Sequence, residues 1–254
     1  MLTENYDVFS RYYDSLTDNV DYRSRAEYFH RLIQKYKKSK GDVLLDLACG
    51  TGSMSEEMCR LSYDVIGADC SCGMLSRAME KKLESGLPVQ YICQDMRELD
   101  LYGAADAVIC TLDSLNHLEC FEDVEKVFRQ VFKNMEPGGV FVFDMNTPYK
   151  HREVLGNEVY IYDTDNVYCV WENSYEPEEN TVNIRLDFFE LESDGRYSRS
   201  CEEITEHAYE PERVRKALEK AGFEVIGCYK ADTEEPLDEK SERMIFAAGK
   251  KEAE

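Results

Sequence analysis

Apolar side chains recur at helical spacing over the first part of the chain. Val8, Tyr12 and Leu16 share one face across residues 5–17, and Tyr22, Ala26, Phe29, Ile33 and Tyr36 share one across 21–38, which predicts two amphipathic helices. Lys37 to Lys40 and Gly41 end the second. Short apolar runs then alternate with helical segments. Strands are expected at 43–48, 64–69, 89–94, 107–112 and 140–145, with helices at 52–61, 73–84 and 121–135. Tyr102-Gly103 precedes the fourth strand, and Pro137-Gly138-Gly139 is expected to break the last of these helices before the fifth. Strands that are apolar throughout and alternate with helices imply a parallel sheet covered on both faces.

The rhythm changes after Pro148. Residues 158–206 carry no helical period. Val159 and Ile161 alternate, then Val167, Cys169 and Trp171, then Val182, Ile184, Leu186 and Phe188, with turn-like breaks at 163–166, 177–180 and 193–195. This predicts an antiparallel β insertion of about four strands. A helix from Pro211 to Ala221 stops at Gly222, and strands at 223–230 and 243–248, separated by an acidic loop, complete the main sheet. The expected fold is therefore α/β: a Rossmann-like seven-stranded sheet with helices on both faces and an antiparallel β insertion. The expected organisation is an N-terminal helical cover (1–40), a core of 41–150 and 207–254, and the insertion (151–206), whose aromatics, Tyr160, Tyr162, Tyr168, Trp171, Tyr175, Phe188 and Phe189, divide between packing and a water-excluding lid.

The chain has 254 residues, enough for one sizeable core. Its formal charge of -22, from 52 acidic and 30 basic residues, repels phosphate backbones and argues against nucleic acid, while its field would attract cationic substrates such as amines. No run is apolar enough to span a bilayer and no signal peptide is visible, so a cytoplasmic protein without membrane association is expected. The ten cysteines are scattered, the closest pair being Cys70 and Cys72, and only four histidines accompany them. That spacing predicts no metal site and suits buried thiols in a reducing compartment.

The most informative segment is Val43-Leu44-Leu45-Asp46-Leu47-Ala48-Cys49-Gly50-Thr51-Gly52, followed by Asp69. It predicts a buried strand, a tight glycine turn, a helix start, and then a carboxylate ending the next strand. Glycines at such a turn let a ligand approach the backbone, and the carboxylate suits ribose hydroxyls. The dinucleotide fingerprint G-x-G-x-x-G fails, because Ser55 or Ser53 stands where the third glycine would fall. A nicotinamide-dependent oxidoreductase is thereby disfavoured.

With LDLACGTG at 45–52, Asp69, Gln94-Asp95-Met96 and Glu136-Pro137-Gly138-Gly139, the chain resembles the class I S-adenosylmethionine-dependent methyltransferases. The resemblance covers most of 40–150 and the final helix and strands. It implies that S-adenosyl-L-methionine is the cofactor. Asp46, Ala48, Cys49, Gly50 and Gly52 would then lie against its methionine part, Asp69 would hold the ribose, and Met74 or Leu75 would pack nearby. Asp95 would take the adenine amino group with Met96 beside the ring, and Leu112 completes the expected set. Asp95 could also cap the turn that follows it.

The loop Thr111 to Leu118 follows the carboxyl end of a central strand, where open α/β sheets bind ligands. Imidazole titrates near neutral pH, so His117 could accept or hold a proton. Tyr12-Tyr13-Asp14 and His117-Leu118 are similar to small-molecule N-methyltransferases that dimethylate amino sugars, which implies that Tyr13 and His117 flank an acceptor amine. Asp144, Asn146 and His207 are further candidates, read as structural. The expected function is methyl transfer to a small molecule at an amine. O-methylation of a phenol or alcohol, and a non-catalytic cofactor-binding protein, stand as alternatives. The oligomeric state is not legible.

Overall fold

The computed structural model describes residues 7–252. The start of the helix expected at 5–17 lies outside them. The first described element is α1 (Asp7–Leu16), followed by α2 (Tyr22–Tyr36), whose N-cap Asp21 accepts the Ser24 N–H at 3.0 Å. The alternating part runs β1 (Val43–Leu47), α3 (Ser53–Arg60), β2 (Asp64–Asp69), α4 (Cys72–Ser85), β3 (Gln90–Cys93), β4 (Ala105–Cys110), α5 (Phe121–Lys133) and β5 (Met135–Asn146). Then come β6 (Val159–Asp163), β7 (Val167–Glu176), β8 (Thr181–Leu191), β9 (Tyr197–His207), α6 (Pro211–Ala221), β10 (Glu224–Lys230) and β11 (Arg243–Gly249).

Seven strands form one sheet in the order β10-β11-β5-β4-β1-β2-β3, parallel except where β11 pairs antiparallel with β5 and β10. The inner strands are apolar on both faces because both are covered. Phe141 and Phe143 of β5 pack with Phe128 of α5 and Leu218 of α6, whereas Val140 and Val142 pack with Phe29, Ile33 and Met58 of α2 and α3. Strands β6 to β9 form a separate antiparallel sheet in sequential order. Its apolar face, Val167, Cys169, Val182, Ile184, Leu186 and Phe188, packs against Phe9 and Leu16 of α1 and against Met74. The insertion and the first helix thus share one core.

Two local features depart from the sequence expectations. β5 begins at Met135, so Pro137-Gly138-Gly139 lies inside the strand instead of before it. The β4 partner register jumps from Ala105↔Met135 to Ala107↔Val140, a bulge. A Cβ on Gly138, at φ +80°, would press on the backbone of Lys38 and Ser39. Glycine here permits close backbone approach within a bulged strand. In addition, Lys150–Leu155 forms a π-helical turn that carries no recognisable sequence period.

Candidate active site

The turn after β1 places Ala48, Gly50 and Gly52 at φ +57°, +55° and +78°. Glycine meets this demand without strain, and Ala48 meets it at a steric cost. A Cβ on Gly52 would collide with the Tyr91 hydroxyl, whereas one on Gly50 would meet nothing within 4 Å. The Gly50 backbone therefore faces open space that a ligand could enter. Asp69, ending β2, accepts the Gly50 N–H at 2.8 Å on one oxygen and the Ser71 N–H at 2.8 Å on the other. Burial raises its pKa, and those N–H bonds oppose the rise.

Asp69 lines a cleft of about 390 Å³ together with Ala48, Asp95 and Met96. Asp95 accepts the Arg97 N–H at 2.8 Å, capping the turn as expected, and the Arg97 guanidinium holds its carboxyl below the usual range. Ala48, Asp69, Asp95 and Met96 on one cleft suit a sugar with vicinal hydroxyls carrying an aromatic base, so the residues present fit an adenosine, while Gly50 and Gly52 do not line that cleft. Asp46, Cys49 and Met74 are buried and do not line the cleft. Burial, with the charge of Asp69 adding, pushes the Asp46 carboxyl up to about 7 against the Ser55 hydroxyl bond of 2.6 Å.

Helix α1 closes over this turn and is tied at several points, among them the Tyr12 hydroxyl, which donates to Glu190 of β8 at 2.9 Å. Glu202 of β9 accepts the Val8 and Phe9 N–H groups at 2.8 and 3.1 Å, satisfying donors of the first helical turn. Asp14 accepts the Thr51 hydroxyl at 2.6 Å and pairs with Lys81 at 3.0 Å. Between these ties Tyr13 lines a second cavity of about 340 Å³. Burial, with Tyr22 and Asp113 nearby, holds its phenol well above the ordinary range, so it works as a neutral hydrogen-bonding group.

The loop after β4 supplies the other wall. Leu112 and Asp113 both sit at positive φ, +57° and +55°, and both N–H groups donate to the fully buried Asp144 carboxylate, at 3.0 and 2.7 Å. Asp144 also receives Arg25 at 3.1 Å and Arg243 at 2.6 Å. Arg243 continues to Asp113 at 2.6 Å. Burial opposes the charge of Asp113, but Arg243, Lys150 and His117 outweigh it and hold its carboxyl well below the carboxylate range. The short 3₁₀ turn Ser114–His117 follows, locked by buried Asn116, which bonds the His207 carbonyl at 2.8 Å and the Asn146 N–H at 3.0 Å.

This places His117 Nε2 3.9 Å from Asp113 Oδ2 and 3.9 Å from Glu206 Oε1. Glu206 is itself buried, with Oε2 2.9 Å from Asn146 Nδ2 and 3.2 Å from His151 Nε2. His117 and Ile204 line both cavities, so the imidazole stands where they meet. The structure thus brings Tyr13, Leu112 and His117 to one cavity and Ala48, Asp69, Asp95 and Met96 to the other. Tyr160, Tyr162 and Trp171 face the Tyr13 cavity, whereas Phe188 is core and Tyr168 packs on Phe189. His207 lines the adenosine-sized cleft; Asp144 and Asn146 act as scaffold.

Sequence reasoning missed Glu206, Lys150, Arg243 and the Asp14–Lys81 tie. The signal for Glu206 lies in Cys201-Glu202-Glu203-Ile204-Thr205-Glu206, where a period of two puts two glutamates on the face of Ile204; all three are buried. No metal site was expected, yet ligand atoms of Asp113, His117 and Glu206 lie within 4.8 Å of one another, a spacing one cation could span. Asp113 already neutralises Arg243, and Glu206 is bonded to His151 and Asn146.

A family model described as a methyltransferase domain matches residues 44–139. A solved S-adenosylmethionine-dependent methyltransferase from Clostridium acetobutylicum ATCC 824 superposes with a TM-score of 0.85 at 31% identity, covering 98% of this chain and 99% of that one. A protein named "Putative methyltransferase YqeM" from Bacillus subtilis (strain 168) is 30% identical over 96% of this chain and 97% of its own length. A glycine/sarcosine N-methyltransferase of Halorhodospira halochloris is 28% identical over 85% of this chain and 78% of its own. The nicotinamide alternative falls, and so does a non-catalytic role. The glycine turn, the Asp69 carboxylate and these full-length likenesses place the chain in the class I S-adenosylmethionine-dependent methyltransferase family, as an enzyme that uses S-adenosylmethionine as its methyl donor.

Proposed function

We propose that the enzyme methylates an amine nitrogen of a small molecule bound in the Tyr13 cavity. The observation that carries this reading is the Asp113–His117–Glu206 cluster at the junction of the two cavities. S-adenosylmethionine, when bound, supplies an activated methyl on a positively charged sulfur. An amine arrives mainly as an ammonium ion and attacks only after losing a proton. Glu206 and Asp113 attract the ammonium, and His117 accepts its proton, leaving the nitrogen lone pair free to attack. Tyr13, kept neutral, orients the nitrogen, and the aromatic wall of β6 and β7 excludes water. A phenol or alcohol has no cationic ground state to match two carboxylates. The likeness to a glycine/sarcosine N-methyltransferase, 28% identical over 85% of this chain, supports nitrogen as the target. The amino sugar implied by the Tyr13 and His117 motifs belongs to the same class of acceptor.

The test is incubation of the purified enzyme with methyl-labelled S-adenosylmethionine and parallel sets of small amines and phenols, with the methylated atom assigned by NMR. N-methyl products are expected. Labelled products confined to phenols or alcohols would overturn the reading.

A further inference from the structure

The acceptor cavity contains a cation that the chemistry above does not use. Lys150 begins the π-helical turn after β5 and lines the cavity alongside Asp113, His117 and Glu206. Its Nζ donates to Asn146 Oδ1 at 3.0 Å, and among the described residues it forms no ion pair. Each nearby carboxylate has a nearer partner than Lys150: Asp113 and Asp144 pair with Arg243, and Glu206 bonds His151 and Asn146 through Oε2 while its Oε1 faces His117. Burial and the neighbouring Arg243 lower the Lys150 pKa, opposed by Asp113, Glu206 and Asp144, so the ammonium is held at a cost that a bound anion would offset.

We infer that Lys150 anchors a carboxylate on the methyl acceptor, making the substrate a small zwitterion: an amine facing His117 and Glu206 and an acid facing Lys150. This deepens the amine reading and rests on it for the second charge. Both signs of charge on one cavity wall complement an amino acid better than a simple amine. The cavity of about 340 Å³, walled by Phe9, Tyr13, Tyr160, Tyr162 and Trp171, leaves room for an apolar or aromatic body between the two ends.

The experiment titrates the enzyme, loaded with S-adenosylhomocysteine, with phenylalanine, phenethylamine and 3-phenylpropionate by calorimetry, for the native chain, Lys150→Met and Lys150→Arg. Phenylalanine should bind about ten- to a hundredfold tighter than phenethylamine, the value of one charge-assisted contact. K150M should erase the preference, K150R should retain most of it, and S-adenosylhomocysteine affinity should stay within about threefold, as expected for a group that does not touch the cofactor. Equal binding of acid and amine, no binding of either carboxylate probe, or a preference indifferent to K150M would overturn the inference. A large loss of S-adenosylhomocysteine affinity in a folded K150M would also overturn it, by assigning Lys150 to the cofactor's own carboxylate. Should K150M lose its cooperative melting, Lys150→Gln repeats the comparison. Because 3-phenylpropionate has no amine, its Lys150-dependent binding tests the anion site even if the methyl goes to oxygen.

Discussion

Replacing Asp144 by asparagine tests how the acceptor site is held together. The carboxylate is fully buried on β5 and takes four donors: Leu112 N–H at 3.0 Å, Asp113 N–H at 2.7 Å, Arg25 at 3.1 Å and Arg243 at 2.6 Å. Asparagine keeps the shape but removes the charge, and its amide nitrogen must face a donor on whichever side it points. Arg25 and Arg243, with side chains only 14% and 12% exposed, lose the counterion they share, although Arg243 keeps Asp113. Removing one partner of a buried pair costs about 3–5 kcal/mol. The strained turn at Leu112 and Asp113, worth about 1–2 kcal/mol per residue, also loses half of its clamp. We expect D144N to be about 3–5 kcal/mol less stable, which for a chain of this size lowers Tm by roughly 6–20 °C. Urea unfolding followed by circular dichroism and by Trp171 fluorescence would measure it, with coincident curves establishing two-state behaviour. A loss below about 1 kcal/mol would refute the argument that this carboxylate organises the loop bearing His117.

Four further outcomes follow from the geometry. His117→Ala should lower turnover by about 10²–10⁴ while leaving S-adenosylmethionine affinity nearly intact, and a normal rate would assign the imidazole to packing. Asp69→Ala should weaken cofactor binding by about ten- to a hundredfold if its carboxylate takes the ribose, and it also unties Gly50 from Ser71; unchanged affinity in calorimetry removes it from the site. Asp46, raised to about 7 by burial, binds a proton in the folded state that the unfolded chain releases near pH 4. Its contribution to stability is therefore full below pH 4 and lost as pH rises to about 7, so Asp46→Asn should gain about 1–4 kcal/mol relative to the native chain between pH 4 and 8; a pH-independent difference in urea midpoints would contradict the assignment. Lys150→Met should erase the preference for carboxylate-bearing ligands, as set out above.

The alternating part of the chain was legible because its signals are local. Apolar runs the length of a strand, helical spacing between them and glycines at forced positive φ are properties of a few consecutive residues, and they placed β1, β2, the Gly50–Gly52 turn and Asp69 with little error. The same reasoning misread Pro137-Gly138-Gly139, because a glycine pair marks a break in sequence but admits close backbone approach within a bulged strand only once its neighbour is known. Among the described residues, no helix is long and apolar enough to cross a membrane.

By itself, the sequence determined the order of elements, the α/β class, the glycine turn after β1 and the identity of His117 and Tyr13 as residues to watch. Only the tertiary structure decided what surrounds them. Glu206 comes from β9, Lys150 from an aperiodic turn, Arg243 from β11 and Asp14 from α1, segments that meet only when the insertion folds back over the carboxyl edge of the sheet. A charge in sequence looks solvated until burial removes its water. Then it must find a partner or wait for a ligand, and which of the two happens depends on distances between residues tens of positions apart or more, about which local patterning carries no information.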